Sequence, residues 1–206
     1  MAALNLHRDH AALLVVDMET DFVYGPMAVT GAPELARRLA PVLRAARAAH
    51  LPLIFANQTL RPGGADTGNL DRFDPVRDGL ALQEGTPGVE VVADLEPSPD
   101  DLYIVKRRFS AFHATDLDLL LRSRSITQLL VCGVAAHVCC DITTRDASQL
   151  GYDTVYLTDG VEMSDLPDHG FGSIPAAQAK AVIATTIAHR FGTLGTLDEL
   201  LSKLTE

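Results

Sequence analysis

The sequence predicts an α/β protein, a three-layer α/β/α arrangement around a six-stranded, parallel, doubly wound sheet. Two observations carry this. Short runs of consecutive apolar residues recur, too short for helices and without the alternation of half-exposed strands, and strands covered on both faces read that way. Between them lie segments with helical periodicity, and strands alternating with helices at such spacing build the crossover units of a parallel sheet. At 206 residues and 47% apolar content the chain is long enough for one well-buried core and short for two, so 1–206 reads as a single domain.

Each element follows from its residues. Residues 11–16, Ala-Ala-Leu-Leu-Val-Val, are apolar on both faces and form the first strand, which ends on Asp17. An amphipathic helix over 33–50 sets Leu35, Leu39, Val42, Leu43 and Ala46 on one face, with Pro33 in its first turn. The second strand is 51–56. From 57 to 82 the pattern dissolves into Gly-, Pro- and Asp-rich turns, and irregular segments of that length in compact domains are often lids or binding loops. The third strand, 101–106, ends on Lys106, and a short helix over 115–124 carries Leu117, Leu119, Leu120 and Leu121. The run 129–134 is the fourth strand. Gly133 to Ala136 are small enough for a sharp turn before a helix opens at His137 and runs to Leu150, with Gly151 as its stop. A fifth strand over 154–158, a helix over 175–189 with Val182, Ile183 and Ile187 inward, a short strand near 191–196 and a helix over 197–204 complete the pattern.

Charge and cysteine content narrow the function classes. With 27 acidic and 17 basic residues the formal charge is -10, and no basic cluster exceeds Lys106-Arg-Arg108, so nucleic acid is not an expected partner. No apolar run approaches the roughly 20 residues that span a bilayer, and 1–10 lacks the apolar centre of a signal peptide, so a cytoplasmic protein away from membranes is expected. Three cysteines, two of them adjacent, make neither a disulfide framework nor a paired zinc motif.

In doubly wound sheets ligands bind beyond the carboxyl ends of the strands. Asp17, Lys106 and Cys139 each lie at or just past such an end. Taken singly they read as a turn acid, a solvated strand end and a small buried hydrophobe. Their coincidence on one edge favours chemistry, because a carboxylate, an ammonium and a thiol are the parts that activate a thiolate and stabilise charge. Placed in the first turn of the predicted helix, Cys139 would be biased towards thiolate by the helix dipole. A flavodoxin-like phosphate site is disfavoured, since Asp17-Met-Glu-Thr20 is too acidic to cradle phosphate.

These residues also carry a resemblance. Leu14-Val-Val-Asp-Met-Glu-Thr-Asp-Phe-Val23, Gly85-Thr-Pro-Gly88, Lys106-Arg-Arg-Phe-Ser-Ala-Phe112 with Thr115-Asp-Leu-Asp-Leu-Leu120, Cys132-Gly-Val-Ala135 with Val138-Cys139, and Thr143-Thr-Arg-Asp-Ala147 stand in order over nearly the whole chain. Together they resemble the isochorismatase-like cysteine hydrolases, a family that includes nicotinamidase, N-carbamoylsarcosine amidohydrolase, and the biuret and ureidoacrylate hydrolases. The resemblance implies a triad of Asp17, Lys106 and Cys139, a cis peptide between Val134 and Ala135, and an oxyanion hole from the N–H groups of Ala135 and Cys139. It implies cleavage of a C–N bond in a small amide, carbamoyl or ureido compound or lactam through a thioester, and assembly as a dimer or tetramer. The alternatives are vinyl-ether hydrolysis, against which the cysteine speaks, and a non-catalytic binding protein of the same fold.

Departures from the family pattern bear on metal and substrate. Nicotinamidases carry an Asp-x-His metal motif after the second strand, whereas Phe55-Ala-Asn-Gln-Thr-Leu-Arg61 offers no histidine, so no metal or other cofactor is expected. Ala136-His137 and Cys140 also depart from the usual residues and bear on specificity. Phe22, Arg61, Phe112, His113 and His137 are the candidate substrate contacts. His137 either lines the pocket or caps the helix, Phe22 either packs on substrate or belongs to the core, and Arg61 either meets a substrate carboxylate or is solvated.

Overall fold

The computed structural model describes residues 4–206; 1–3, the start of the segment considered above for a signal peptide, lie outside the described residues. Its helices and strands in chain order are β1 (Ala11–Val16), α1 (Thr20–Val23), α2 (Ala32–Ala48), β2 (Leu53–Gln58), α3 (Asp74–Arg77), β3 (Leu102–Lys106), α4 (Leu117–Ser123), β4 (Gln128–Val134), α5 (Asp141–Gln149), β5 (Asp153–Glu162), α6 (Ala176–Arg190), β6 (Thr193–Gly195) and α7 (Leu197–Thr205). The six strands form one sheet in the order β3-β2-β1-β4-β5-β6, all pairings parallel. Every residue of β1, β2 and β4 is buried. That is why these strands read as continuous apolar runs.

Alternate residues of each strand feed two cores. Leu13, Val15 and Phe55 pack under α2 and α7, while Leu14, Val16, Ile54 and Ala56 pack under α4, α5 and α6. A third, smaller cluster of Leu60, Leu70, Val76, Ala81 and Leu82 sits inside the long connection between β2 and β3. That connection is thus an ordered cap with its own apolar centre. It is tied to the β1 end by backbone hydrogen bonds from Thr20 N to Glu90 O and from Val92 N to Met18 O, both 3.0 Å. Among the described residues no helix is long and apolar enough to cross a membrane.

Two details differ from the sequence reading. The fifth strand, expected over 154–158, runs on to Glu162, and the β4–β5 register shifts between Val131 and Gly133 so that Asp159-Gly160 stay in the strand. Val182 is 62% exposed, not inward; the buried stripe of α6 is Ala179 and Ile187, with Ile183 partly covered, and Val182 lies off that line.

Candidate active site

The strand order reverses between β1 and β4, and a doubly wound sheet binds ligands in the crevice at that switch point. Asp17 leaves β1 in the left-handed region (φ 51°), a conformation that aspartate tolerates better than most residues and that turns the chain at once. Gly133 sits opposite on β4 with φ 118°, and a Cβ there would lie 2.0 Å from the Val16 carbonyl oxygen. Only glycine fits this close approach. Beyond it the Val134–Ala135 peptide is cis, as the resemblance implies, and the chain enters a wide π-helical turn, Ala136–Cys140, before α5. The Tyr156 hydroxyl donates to the Ala136 carbonyl (3.0 Å) from β5 and fixes the turn from below.

Asp17, Lys106 and Cys139 converge. Lys106 Nζ, wholly buried, lies 2.8 Å from Asp17 Oδ2 and donates to Gln58 Oε1 (3.1 Å), to the Arg108 carbonyl (3.2 Å) and towards Cys139 Sγ (3.5 Å). Asp17 Oδ1 accepts from the Gln58 backbone N–H (3.0 Å). Burial works against the charge of Lys106, yet Asp17, Cys139 and Glu19 outweigh it and push its pKa up, so the ammonium persists. Burial pushes Asp17 above the usual aspartate value, with Lys106 pulling back. Burial and the neighbouring Asp17 carboxylate likewise push the Cys139 thiol up, against Lys106. The thiolate bias expected from a helix N-terminus is therefore corrected: Cys139 precedes α5 on the wide turn and desolvation dominates. The resting pair is an Asp17–Lys106 ion pair beside a neutral thiol. Cys140, 0% exposed, packs in the core beneath α4, α5 and α6 and is no part of this cluster.

Above Cys139 opens a cavity of ≈ 230 Å³ lined by Phe22, Met27, Phe73, Phe109, Ala135 and His137, among others. Of the sequence candidates, Phe22, Ala135 and His137 thus line the cavity. His137 is half-buried, and burial holds it below the usual histidine value against the pull of Asp141, which leaves a neutral ring. Arg61, Phe112 and His113 are not among the lining residues. Arg61 is mostly exposed and paired with Asp66 at 3.0 Å, Phe112 packs against Tyr152, and His113 is exposed. A larger open hollow of ≈ 570 Å³ against Asn57, Tyr103 and Val105 has none of the three reactive residues in its walls.

Several residues of the site escaped the sequence reading. Gln58 follows the predicted end of the second strand, and its register opposite Lys106 is the only signal that would place it here. Glu19 is 0% exposed with both carboxyl oxygens lacking a hydrogen-bond partner, and burial, reinforced by Asp17, raises its pKa well above the usual glutamate value. Burial thus favours its neutral form. Met27, Leu70, Phe73 and Phe109 come from irregular segments, where no periodicity sets the direction of a side chain.

A curated ureidoacrylate amidohydrolase of Variovorax paradoxus is 28% identical over 218 residues, covering 96% of this chain and 82% of that protein, and one of an Enterobacter species is 32% identical, covering 79% of each. The crystal structure of a cysteine hydrolase from Pseudomonas syringae pv. phaseolicola superposes with a TM-score of 0.92 at 33% identity, covering 100% of this chain and 98% of that one. N-carbamoylsarcosine amidase from Thermoplasma acidophilum, at 24% identity and a TM-score of 0.73 over 91% of this chain and 96% of its own, shares the fold. Residues 11–188, most of the chain, match the Isochorismatase domain, and the protein belongs to that family.

Proposed function

We propose that the protein is a cysteine-dependent amidohydrolase that cleaves a C–N bond of a small amide, carbamoyl or ureido compound or lactam through a thioester on Cys139. The observation that carries this reading is the buried cluster of Asp17, Lys106 and Cys139 beneath a cavity open to small molecules. The ureidoacrylate amidohydrolase relatives and the cysteine hydrolase neighbour support it.

Asp17 takes the proton of the Cys139 thiol as sulfur attacks the carbonyl carbon, so charge never builds on an isolated buried thiolate. Lys106 stays protonated and stabilises the sulfur and Asp17 as negative charge moves between them. The N–H groups of Ala135 and Cys139 hold the oxyanion, a contribution of about 3 kcal/mol per donor. As the tetrahedral adduct collapses, the C–N bond breaks and Asp17 passes its proton to the departing nitrogen. Water then adds to the thioester, gives its proton to Asp17, and the C–S bond breaks to release the acid; the proton returns to sulfur. The test is acid quench of the enzyme during turnover followed by peptide mass analysis. An acyl adduct on Cys139 with ammonia or amine release is expected, and turnover by Cys139→Ala would refute the reading.

A further inference from the structure

The cavity wall says more about the substrate than the family does. Of the thirteen residues lining it none carries a charge, and apart from Gln58, His137 and Cys139 all are apolar. None of the cations of the cap or of the segment after β3 lines the cavity: Arg72 is exposed and donates to the Asn69 carbonyl (3.0 Å), and Arg77 pairs with Asp74 (2.8 Å). Arg61 pairs with Asp66 (3.0 Å), Arg107 binds the Thr59 carbonyl (2.9 Å) and Glu84 (3.1 Å), and Arg108 binds the Asp66 carbonyl (2.8 Å). Lys106 is not among the wall residues, and its buried ammonium is already shared among Asp17, Gln58, the Arg108 carbonyl and Cys139 Sγ. Asp17 and Glu19 are wholly buried and are not in the wall, and burial favours the neutral form of His137. A carboxylate in this cavity would be desolvated with no counter-charge in the wall, and the one ammonium beneath it is already paired with Asp17, a costly way to bury a charge. An apolar cavity of about 150 Å³ holds benzene. At ≈ 230 Å³ this one has room for a ring of that size together with the amide.

Resting on the amidohydrolase reading above, we infer that the substrate is an uncharged carboxamide bearing an arene-sized or branched aliphatic group, and that the site rejects substrates carrying a carboxylate. Phe22, Met27, Leu70, Phe73, Phe109 and Val138 receive the apolar group. His137, whose Nδ1 is buried without a partner, is a wall residue able to meet a neutral polar substituent. This separates the chain from its ureidoacrylate-cleaving relatives, whose named substrate is an acid.

The test uses two ligands that differ in one group, 4-methylbenzamide and 4-carbamoylbenzoate. Calorimetric binding to Cys139→Ala protein reads selectivity without turnover, and ammonia release by the unaltered enzyme reads hydrolysis. The methyl compound should bind at least a hundredfold tighter and show a kcat/KM larger by a similar factor. Phe73→Arg, at a rim position 37% exposed from which a guanidinium reaches water, should narrow the ratio at least tenfold by supplying the missing cation. Equal or tighter binding of the carboxylate, binding of neither, or an unchanged ratio in Phe73→Arg overturns the inference. Selective binding of the methyl compound with no ammonia from either ligand supports the selectivity and refutes the hydrolytic reading. Faster hydrolysis of the carboxylate does the reverse.

Discussion

Replacing Lys106 with methionine isolates what its charge does, because the side chain keeps most of its length and an apolar stem. Nζ sits 2.8 Å from Asp17 Oδ2 with both side chains 0% exposed, so no solvent screens the pair. Deleting one partner of such a pair leaves the other charge buried and uncompensated, at a cost of about 3–5 kcal/mol. Against a usual domain stability of about 5–15 kcal/mol, the variant folds with a much reduced margin. The loss also depends on pH. Burial already raises Asp17 above 3.8, and Lys106 pulls it down. Without the lysine the folded-state value climbs further, so the folded variant holds a proton that the unfolded chain has released. Stability therefore falls as pH rises above the unfolded aspartate value, by about 1.4 kcal/mol per unit, until the folded value is passed. Urea unfolding followed by circular dichroism at about pH 4 and about pH 8 should show the larger loss at the higher pH. Adding Asp17→Asn, which removes the orphaned charge, should recover at least half of it. A loss under about 1 kcal/mol at the higher pH, or one equal at both, would show that the pair is not the buried unit described here.

Cys139→Ala should abolish turnover with little change in stability, whereas Cys140→Val should stay active and within about 1.5 kcal/mol of the parent, since it fills a core position with a similar volume; the opposite pattern would misplace the nucleophile. Glu19→Gln should keep most of the activity, because the carboxyl is already neutral. Relative to the parent it should gain stability as pH rises above 4.5, since a carboxyl whose folded pKa is raised loses stabilisation in that direction; a flat difference between pH 5 and 8 by thermal melting would refute a neutral Glu19. The acid limb of kcat/KM should lie above 3.8, where Asp17 loses its ability to accept the thiol proton, and its absence would remove Asp17 as the base. Dialysis against a strong chelator should leave turnover intact, and loss restored by zinc would count against a metal-free mechanism.

The sheet and the clustering of Asp17, Lys106 and Cys139 were legible because both follow from where the strands end. Buried parallel strands announce themselves as apolar runs, and the residue that ends such a run must lie at the sheet edge where ligands bind. Asp17, Lys106 and Cys139 needed only that rule. What surrounds them was not legible. Cys139 lies in a π-helical turn whose width no 3.6-residue pattern signals, and its burial, which reverses the expected thiolate bias, is a property of the cap folding over it. Phe109, not Phe112, lines the cavity, although both stand in one quoted motif, because the chain beyond β3 has no repeat to fix their directions. Glu19 reads as one more surface acid until α1 and the 90–92 segment close on it.

The division between strand ends and cap has a mechanistic consequence. Asp17, Lys106 and Cys139 follow strands that pair on both sides or end in the cluster itself, so their positions are fixed many times over. The cap is held by the cluster around Leu60, Leu70 and Leu82 and by a few anchors, among them Asp21 Oδ2 accepting from the Leu82 N–H at 2.6 Å. Gly88 packs on that same carboxylate so closely that a Cβ would stand 2.4 Å from Oδ2. Asp21 therefore joins the cap to the β1 end without touching the nucleophile. Changes within the cap reshape what the cavity admits, while the acid–base chemistry beneath stays in register. On the reading proposed above, substrate preference can drift in this fold without dismantling the reaction, and the charge-free wall is where this chain is expected to part from its ureidoacrylate-cleaving relatives.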